Sequence, residues 1–135
     1  MSPQASSPAP HALLVDDQED VRDSIALALE DVGYRVTQAA DGVEAMQLLE
    51  NETYDVVLCD LNMPKMGGRS LLERVRDQAP AVRVIVMTGY TAAEDVLVLL
   101  REGAVGVLMK PFEPELLLHE IARALYDGSS RAVQA

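Results

Sequence analysis

The sequence predicts an α/β protein in which a doubly wound parallel sheet carries helices on both of its faces. Five short runs rich in Val, Leu and Ile alternate with longer segments whose apolar residues recur three and four positions apart. The apolar runs are nearly continuous, which is typical of strands buried on both faces. Parallel neighbours need crossover connections, and right-handed helical crossovers are the usual solution. These observations favour one domain built from five strand–helix units.

The predicted strands are short and end at polar or turn residues. In chain order they cover residues 12–15, 35–39, 56–59, 82–87 and 105–109. The first intervening helix is indicated by the spacing of Val21, Ile25 and Leu29, and the last by Leu117 and Ile121. Glycines and prolines separate the remaining segments, so each helix is expected to end before the next strand begins.

Length and composition indicate one globular unit with flexible ends. The chain has 135 residues, of which 49% are hydrophobic and 24% charged, as expected of a globular domain that needs no disulfide. Residues 1–10 are rich in Pro, Ser and Ala and lack periodicity. We therefore expect a flexible leader over residues 1–10, one domain over residues 11–127, and a flexible tail or linker remnant over residues 128–135.

The charge balance excludes several classes of partner. A formal net charge of -11 repels phosphate backbones and anionic lipid heads, so we expect neither direct nucleic-acid binding nor membrane association. No apolar run approaches the roughly 18 residues that span a bilayer, and no signal peptide is evident. The single cysteine, Cys59, cannot form an internal disulfide and is expected to be a buried strand residue. A cytoplasmic location fits these observations.

Polar side chains stand at four of the predicted strand ends. The first strand ends in Asp16 and Asp17, the third in Asp60, the fourth in Thr88 and the fifth in Lys110. The carboxyl ends of parallel strands share one edge, where doubly wound sheets bind their ligands. Taken singly, these residues have structural explanations: Asp17 could cap a helix, Asp60 could open a turn, Thr88 could end a strand and Lys110 could be solvated. Their joint occurrence favours a functional site.

Four segments that contain the strand-end residues carry a resemblance to a known family. They are Leu-Leu-Val-Asp-Asp at 13–17, the run from Asp55 to Gly68, Val-Ile-Val-Met-Thr-Gly at 84–89 and the run from Gly103 to Phe112. In order and spacing they resemble the receiver domains of bacterial response regulators, over nearly all of residues 11–127. The resemblance implies a flavodoxin-like (βα)5 fold with strand order 2-1-3-4-5. It also implies a signalling domain of two-component systems, one that assists only its own phosphorylation and dephosphorylation and is not otherwise an enzyme.

The resemblance implies a role for each strand-end residue. Asp60 would be the phosphoryl acceptor, with Thr88 and Lys110 contacting the phosphoryl oxygens. The expected cofactor is Mg²⁺ or Mn²⁺. Its expected ligands are Asp17, Asp60, the backbone carbonyl of Asn62 and, through water, Asp16. Independently of the family, three carboxylates within about 5 Å of one another repel by roughly 3 kcal/mol per pair at an effective dielectric near 20, which calls for a cation. The implied donor is a histidine kinase or a histidine phosphotransfer protein.

Three further positions follow from the resemblance. The Lys110–Pro111 bond is expected to be cis. In this family the threonine moves toward the phosphoryl group, and an aromatic residue in the fifth strand moves inward behind it. Val107 stands at the position of that aromatic residue and has no ring, so the usual coupling between the two residues is in doubt here. Tyr90 is the nearest substitute, as a switch or as a gate for water, although a plain loop aromatic explains it as well.

The fourth predicted helix indicates a second functional surface, for binding a partner. Residues 96–100 are five apolar residues in a row, and one helical stripe cannot bury them all. One or two should face outward, Val96 and Val98 among the candidates. An overfilled core face is the competing explanation. We expect an output partner or a dimer mate to bind through helix 4, strand 5 and helix 5.

Other phosphate chemistries fit poorly. A haloacid-dehalogenase phosphatase needs a second Asp where this chain has Asn62, and an amide cannot serve as its general acid. A P-loop or a flavodoxin phosphate loop would be repelled by Asp16 and Asp17. A receiver-like module that binds partners without phosphorylation remains the alternative from a different class, although the complete set of strand-end residues argues against it.

Overall fold

The structure is a computed structural model that describes residues 9–63, 65–89 and 93–126, without the side chains of residues 93 and 94. Tyr90, residues 1–8 of the predicted leader and the whole predicted tail lie outside the described residues.

Strands and helices alternate along the described part of the chain. The elements are β1 (His11–Val15), α1 (Glu19–Asp31), β2 (Arg35–Ala39), α2 (Gly42–Asn51), β3 (Val56–Asp60), α3 (Gly68–Gln78), β4 (Arg83–Thr88), α4 (Ala93–Arg101), β5 (Gly106–Met109) and α5 (Pro114–Tyr126). All neighbouring strands pair in parallel, in the order β2-β1-β3-β4-β5. The predicted fold class and the predicted strand order are confirmed.

Two apolar cores lie on opposite faces of this sheet. Alternate residues of each strand point to opposite sides, so Leu13 belongs to one core and Leu14 to the other. Helices α2, α3 and α4 cover the first face, and α1 and α5 cover the second. The central strands β1 and β3 are buried along their whole length. This explains why their sequences are nearly continuous apolar runs.

The strand bounds differ from the prediction by one residue where a polar side chain sits at a strand end. β3 includes Asp60, which pairs in register with Met87, and β4 includes Thr88, which pairs with Met109. Main-chain pairing does not depend on an apolar side chain, so the ladder continues past the apolar pattern. Asp60 and Thr88 are therefore held by the sheet itself and not by a loop.

Helices α1 and α4 end in the same way. In each, a glycine in the left-handed region, Gly33 (φ +102°) or Gly103 (φ +119°), follows the helix. The next amide then donates back into the last turn, from Tyr34 to the Leu29 carbonyl at 3.1 Å and from Ala104 to the Leu99 carbonyl at 3.0 Å. Both turns lead directly into the next strand, β2 after α1 and β5 after α4.

Candidate functional site

Three carboxylates converge at the carboxyl edge of the sheet. Asp16 and Asp17 directly follow β1, and Asp60 ends β3, the strand that pairs with β1. Each offers one oxygen, and these oxygens lie within 4.8 Å of one another. Asp16 is fully buried and Asp60 is 9% exposed, whereas Asp17 is exposed. The topology thus brings together residues more than 40 positions apart in sequence.

Lys110 supplies the positive charge nearest to these carboxylates. Its Nζ donates to Asp16 Oδ2 at 2.7 Å and to Asp60 Oδ2 at 3.1 Å, and its side chain is 20% exposed. Burial alone would lower the pKa of Lys110, but the hydrogen bonds to the two carboxylates outweigh it and raise the pKa above its ordinary value. Lys110 is therefore a permanent cation here and not a solvated surface lysine.

Backbone amides fix the other oxygens of two of the carboxylates. The Gln18 amide donates to Asp16 Oδ1 at 2.9 Å, and the Asn62 amide donates to Asp60 Oδ1 at 3.2 Å. Asp17 makes no side-chain hydrogen bond within the described part of the chain. It does not cap α1 either, because the cap position belongs to Gln18 and no side chain caps it. Of the three acids, Asp17 is therefore the one whose side chain no hydrogen bond within the described residues holds in place.

The other predicted site residues are placed as follows. Thr88 is fully buried at the end of β4, and its carbonyl accepts from the Lys110 amide at 2.7 Å. The Lys110–Pro111 peptide bond is cis. Val107 is half-buried in β5 and packs against the core under α2, α3 and α4.

The cluster fits a hard divalent cation. Three carboxylates share one ammonium, which leaves two negative charges uncompensated. Two of the acids are buried or nearly so, and Asp17 opens to solvent, where an ion can enter with its waters. Oxygen donors with room for retained water suit Mg²⁺ or Mn²⁺. The residues present therefore fit the expected cofactor.

Close packing positions the loop after Asp60. The Gly68 amide donates to the Leu61 carbonyl at 3.0 Å, and a Cβ on Gly68 would lie 2.5 Å from the Asp60 carbonyl oxygen. Only glycine allows α3 to start this close to the end of β3. Sequence reasoning took the glycines only as separators of segments and missed this role of Gly68; the Gly67-Gly68 pair was the available signal.

An open apolar cleft of about 520 Å³ adjoins Lys110. It runs between α1 and the segment after β5, and its lining residues are Asp20, Val21, Ser24, Ile25, Lys110, Pro111 and Phe112. No sequence motif indicated this cleft, because its two walls are about 90 residues apart in the chain.

Comparisons with known proteins decide the family. The family model of the response regulator receiver domain matches residues 12–122, which is most of the chain. The chain belongs to the response regulator receiver domain family. Its place among the signalling domains of two-component systems follows from this membership.

Solved receiver domains share both sequence and fold with the chain. A CheY-like response regulator receiver domain protein from Methanospirillum hungatei is 35% identical with a TM-score of 0.84, covering 88% of this chain and 95% of that one. Chemotaxis protein CheY4 of Vibrio cholerae is 36% identical with a TM-score of 0.82, covering 87% and 99%.

The similar curated proteins are longer. The alginate biosynthesis transcriptional regulatory protein AlgB of Pseudomonas aeruginosa is 34% identical over 113 residues, which are 84% of this chain and 25% of AlgB. The response regulator protein FleR of the same species is 34% identical over 115 residues, 85% of this chain and 24% of FleR. The chain thus spans about a quarter of these relatives. Among the described residues, no helix is long and apolar enough to cross a membrane.

Proposed function

We propose that this receiver domain accepts a phosphoryl group on Asp60 and thereby changes which partners it binds. The observation that carries the proposal is the position of Lys110, whose ammonium donates hydrogen bonds to both Asp60 and Asp16. A cation there neutralises the charge of an arriving phosphoryl group. The receiver family and the arrangement of the strand ends support the same role.

In the proposed reaction, a carboxylate oxygen of Asp60 attacks the phosphorus of a phosphohistidine. A P–O bond forms while the P–N bond breaks, and the imidazole leaves and takes up a proton. Lys110 and Thr88 would contact the phosphoryl oxygens, since both lie at the same sheet edge as Asp60. Hydrolysis of the acyl phosphate by water later resets the domain. Its own phosphorylation and dephosphorylation are the only chemistry that we assign to it.

Asp17, Asp60 and the Asn62 carbonyl would hold a Mg²⁺ or Mn²⁺ ion, with Asp16 acting through water. When bound, the ion supplies positive charge beside the transferred group. Asp16 keeps Lys110 in place through the 2.7 Å hydrogen bond to its Nζ.

The test is intact mass after incubation with Mg²⁺ and acetyl phosphate. A gain of about 80 Da is expected for one phosphoryl group, and it should be absent in Asp60→Asn and after addition of EDTA. Folded protein that gains no mass would refute the proposal and would favour the phosphorylation-independent binding module. A gain that persists in Asp60→Asn would place the acceptor elsewhere.

The proposed donor is a histidine kinase or a histidine phosphotransfer protein. Such a donor must approach Asp60 from the open edge of the sheet, where the apolar cleft beside Lys110 can take a partner side chain. Ser24 is exposed in that cleft, so Ser24→Trp should slow transfer from a phosphorylated donor protein. Labelling by acetyl phosphate should be unchanged, because a small donor does not use the cleft. Equal slowing with both donors would contradict this approach route.

The proposed output surface is formed by α4, β5 and α5. Leu97, Met109 and Leu116 are each about half exposed on these three elements, at 45%, 45% and 46%. Among the described side chains of α4, Leu97 is the exposed apolar one. Val96 and Val98, the expected outward candidates, are partly buried instead. Phosphorylation-dependent self-association or partner binding should be lost in Leu97→Glu, and Val43→Glu on α2 is the matched control. Association that survives Leu97→Glu would argue against this surface.

The domain limits of the sequence analysis are kept as part of this proposal. We propose that the receiver domain spans residues 11–127 and that residues 128–135 are a tail or linker remnant. A cytoplasmic location and phosphorelay partners remain predictions of this proposal.

A further inference from the structure

We propose that Arg22 is a positioning residue for Asp17 and thereby sets the affinity of the acidic cluster for its divalent cation. The inference rests on the proposed function, because it concerns the same site. It adds a residue that neither the strand-end pattern nor the motif segments include.

Arg22 holds the end of β1 through the main chain. Its Nη1 donates to the Asp16 carbonyl oxygen at 2.7 Å, and its Nε donates to Gln38 Oε1 at 3.1 Å. The guanidinium is a rigid planar fork that stays protonated, so two bonds in different directions fix its orientation. Gln38 belongs to β2, the edge strand that pairs with β1. Arg22 thus ties α1, β1 and β2 together at one point.

The carbonyl that Arg22 holds belongs to the peptide plane that leads into Asp17. Because this plane is rigid, fixing its oxygen fixes the direction from which the Asp17 backbone departs. Asp16 and Asp60 have other restraints, namely backbone amides and Lys110. Asp17 has no side-chain hydrogen bond within the described residues, so its placement depends on this backbone. Loss of the Arg22 contact should therefore affect Asp17 first.

Charge and geometry predict opposite effects of removing Arg22. If Arg22 acted only as a nearby positive charge, its removal would leave the site more negative and would tighten cation binding. If Arg22 acts by positioning Asp17, its removal should weaken cation binding. Loss of a group that orients a metal ligand typically costs tenfold or more in affinity.

Three variants separate these explanations. Arg22→Gln removes both the charge and the fork, and we expect about a tenfold weaker affinity. Arg22→Lys keeps the charge but loses the fork, so its affinity should lie between that of Arg22→Gln and that of the wild type. Gln38→Met changes no charge and removes only the second anchor, and should weaken binding in the same direction but less. Arg101→Gln, on the exposed last turn of α4, controls for the overall change of charge.

The measurement is a Mn²⁺ titration of the wild type and each variant followed by electron paramagnetic resonance of the free ion, with circular dichroism to confirm that each variant is folded. Weaker binding in Arg22→Gln and Gln38→Met, with unchanged binding in Arg101→Gln, is the expected result. Tighter or unchanged binding in Arg22→Gln would overturn the inference, as would wild-type affinity in both Arg22→Lys and Gln38→Met. If the wild type itself binds no Mn²⁺, the proposed cation site fails and this inference fails with it. Normal wild-type binding with unaffected variants refutes the positioning role alone.

Discussion

Replacing Asp17 with Asn is expected to stabilise the protein without metal. The Asp17 oxygen lies within 4.8 Å of oxygens of Asp16 and Asp60, and at that separation two charges repel by about 0.9 kcal/mol in water and about 3.5 kcal/mol at an effective dielectric near 20. Asp17 is exposed, so the lower figure applies to each of its two neighbours. The Lys110 ammonium offsets part of this sum, which leaves a net gain of about 1 kcal/mol for the neutral variant.

Mg²⁺ should reverse this order of stability. A ligand that binds only the folded state stabilises it by RT ln(1 + [L]/Kd), which is about 2.7 kcal/mol at a hundredfold excess over Kd. The wild type should gain this increment, and Asp17→Asn should gain much less because it lacks one of the proposed ligands. The wild type should therefore be less stable than the variant in EDTA and more stable at high Mg²⁺.

The assay is urea unfolding followed by far-ultraviolet circular dichroism, in EDTA and at increasing Mg²⁺. Urea is preferred to guanidinium because a salt would screen the repulsion under test. In EDTA the midpoint of Asp17→Asn should lie about 0.5 M above that of the wild type. Asp23→Asn, which removes one exposed charge from α1, controls for the overall charge of the chain. An Asp17→Asn variant that is less stable than the wild type in EDTA would refute the reasoning.

Three other perturbations test the packing around the site. Gly68→Ala should lower the free energy of unfolding by about 2 kcal/mol or more, because the added Cβ would lie 2.5 Å from a carbonyl oxygen at the end of β3. Gly89→Ala, whose Cβ would meet nothing within 4 Å, should leave the free energy of unfolding nearly unchanged in the same urea titration. Burial, and secondly the adjacent carboxylate, raises the pKa of the Cys59 thiol to about 12, so a thiol reagent at pH 8 should label the unfolded protein and spare the folded one. The hydrogen bond from Arg69, and then its charge, lowers the pKa of Glu102. A stability difference between wild type and Glu102→Gln should therefore be present above about pH 4.5 and should vanish as the pH falls through the lowered pKa; a constant difference would exclude this ion pair as its origin.

The periodicity of apolar residues was sufficient to predict the architecture, because a parallel sheet covered on both faces requires a simple pattern of apolar residues in the sequence. Strands β1 and β3 must be apolar throughout, and the helices must be apolar on one stripe. The bounds were less predictable. His11 was interpreted as preceding the first strand, yet it is the first residue of β1 and is 6% exposed. Its Nε2 lies 2.8 Å from Thr37 Oγ1 on β2, a partner that only the sheet order supplies.

The site residues could be predicted because topology, and not local sequence, brings them together. Knowing that parallel strands end at one edge was enough to group Asp16, Asp60 and Lys110. The contact between Arg22 and the Asp16 carbonyl could not be predicted in this way. It joins a side chain to the main chain across a turn, and nothing in residue type or spacing distinguishes such an arginine from one that is solvated on a helix surface.

The distribution of burial indicates where a signal can leave the site. Asp60 and Thr88 are held by the sheet, and Val107 in β5 carries no aromatic ring that could move. Helix α4 is held less firmly, because Leu99 alone is buried among its described side chains. Its far end is tied to α3, where Arg69 Nε and Nη2 donate to the Glu102 carboxylate at 2.9 Å and 2.8 Å. An element with little buried surface moves at low cost in free energy. We therefore expect a change at Asp60 to be transmitted by movement of the amino end of α4 about its tethered carboxyl end, without a side-chain flip in β5.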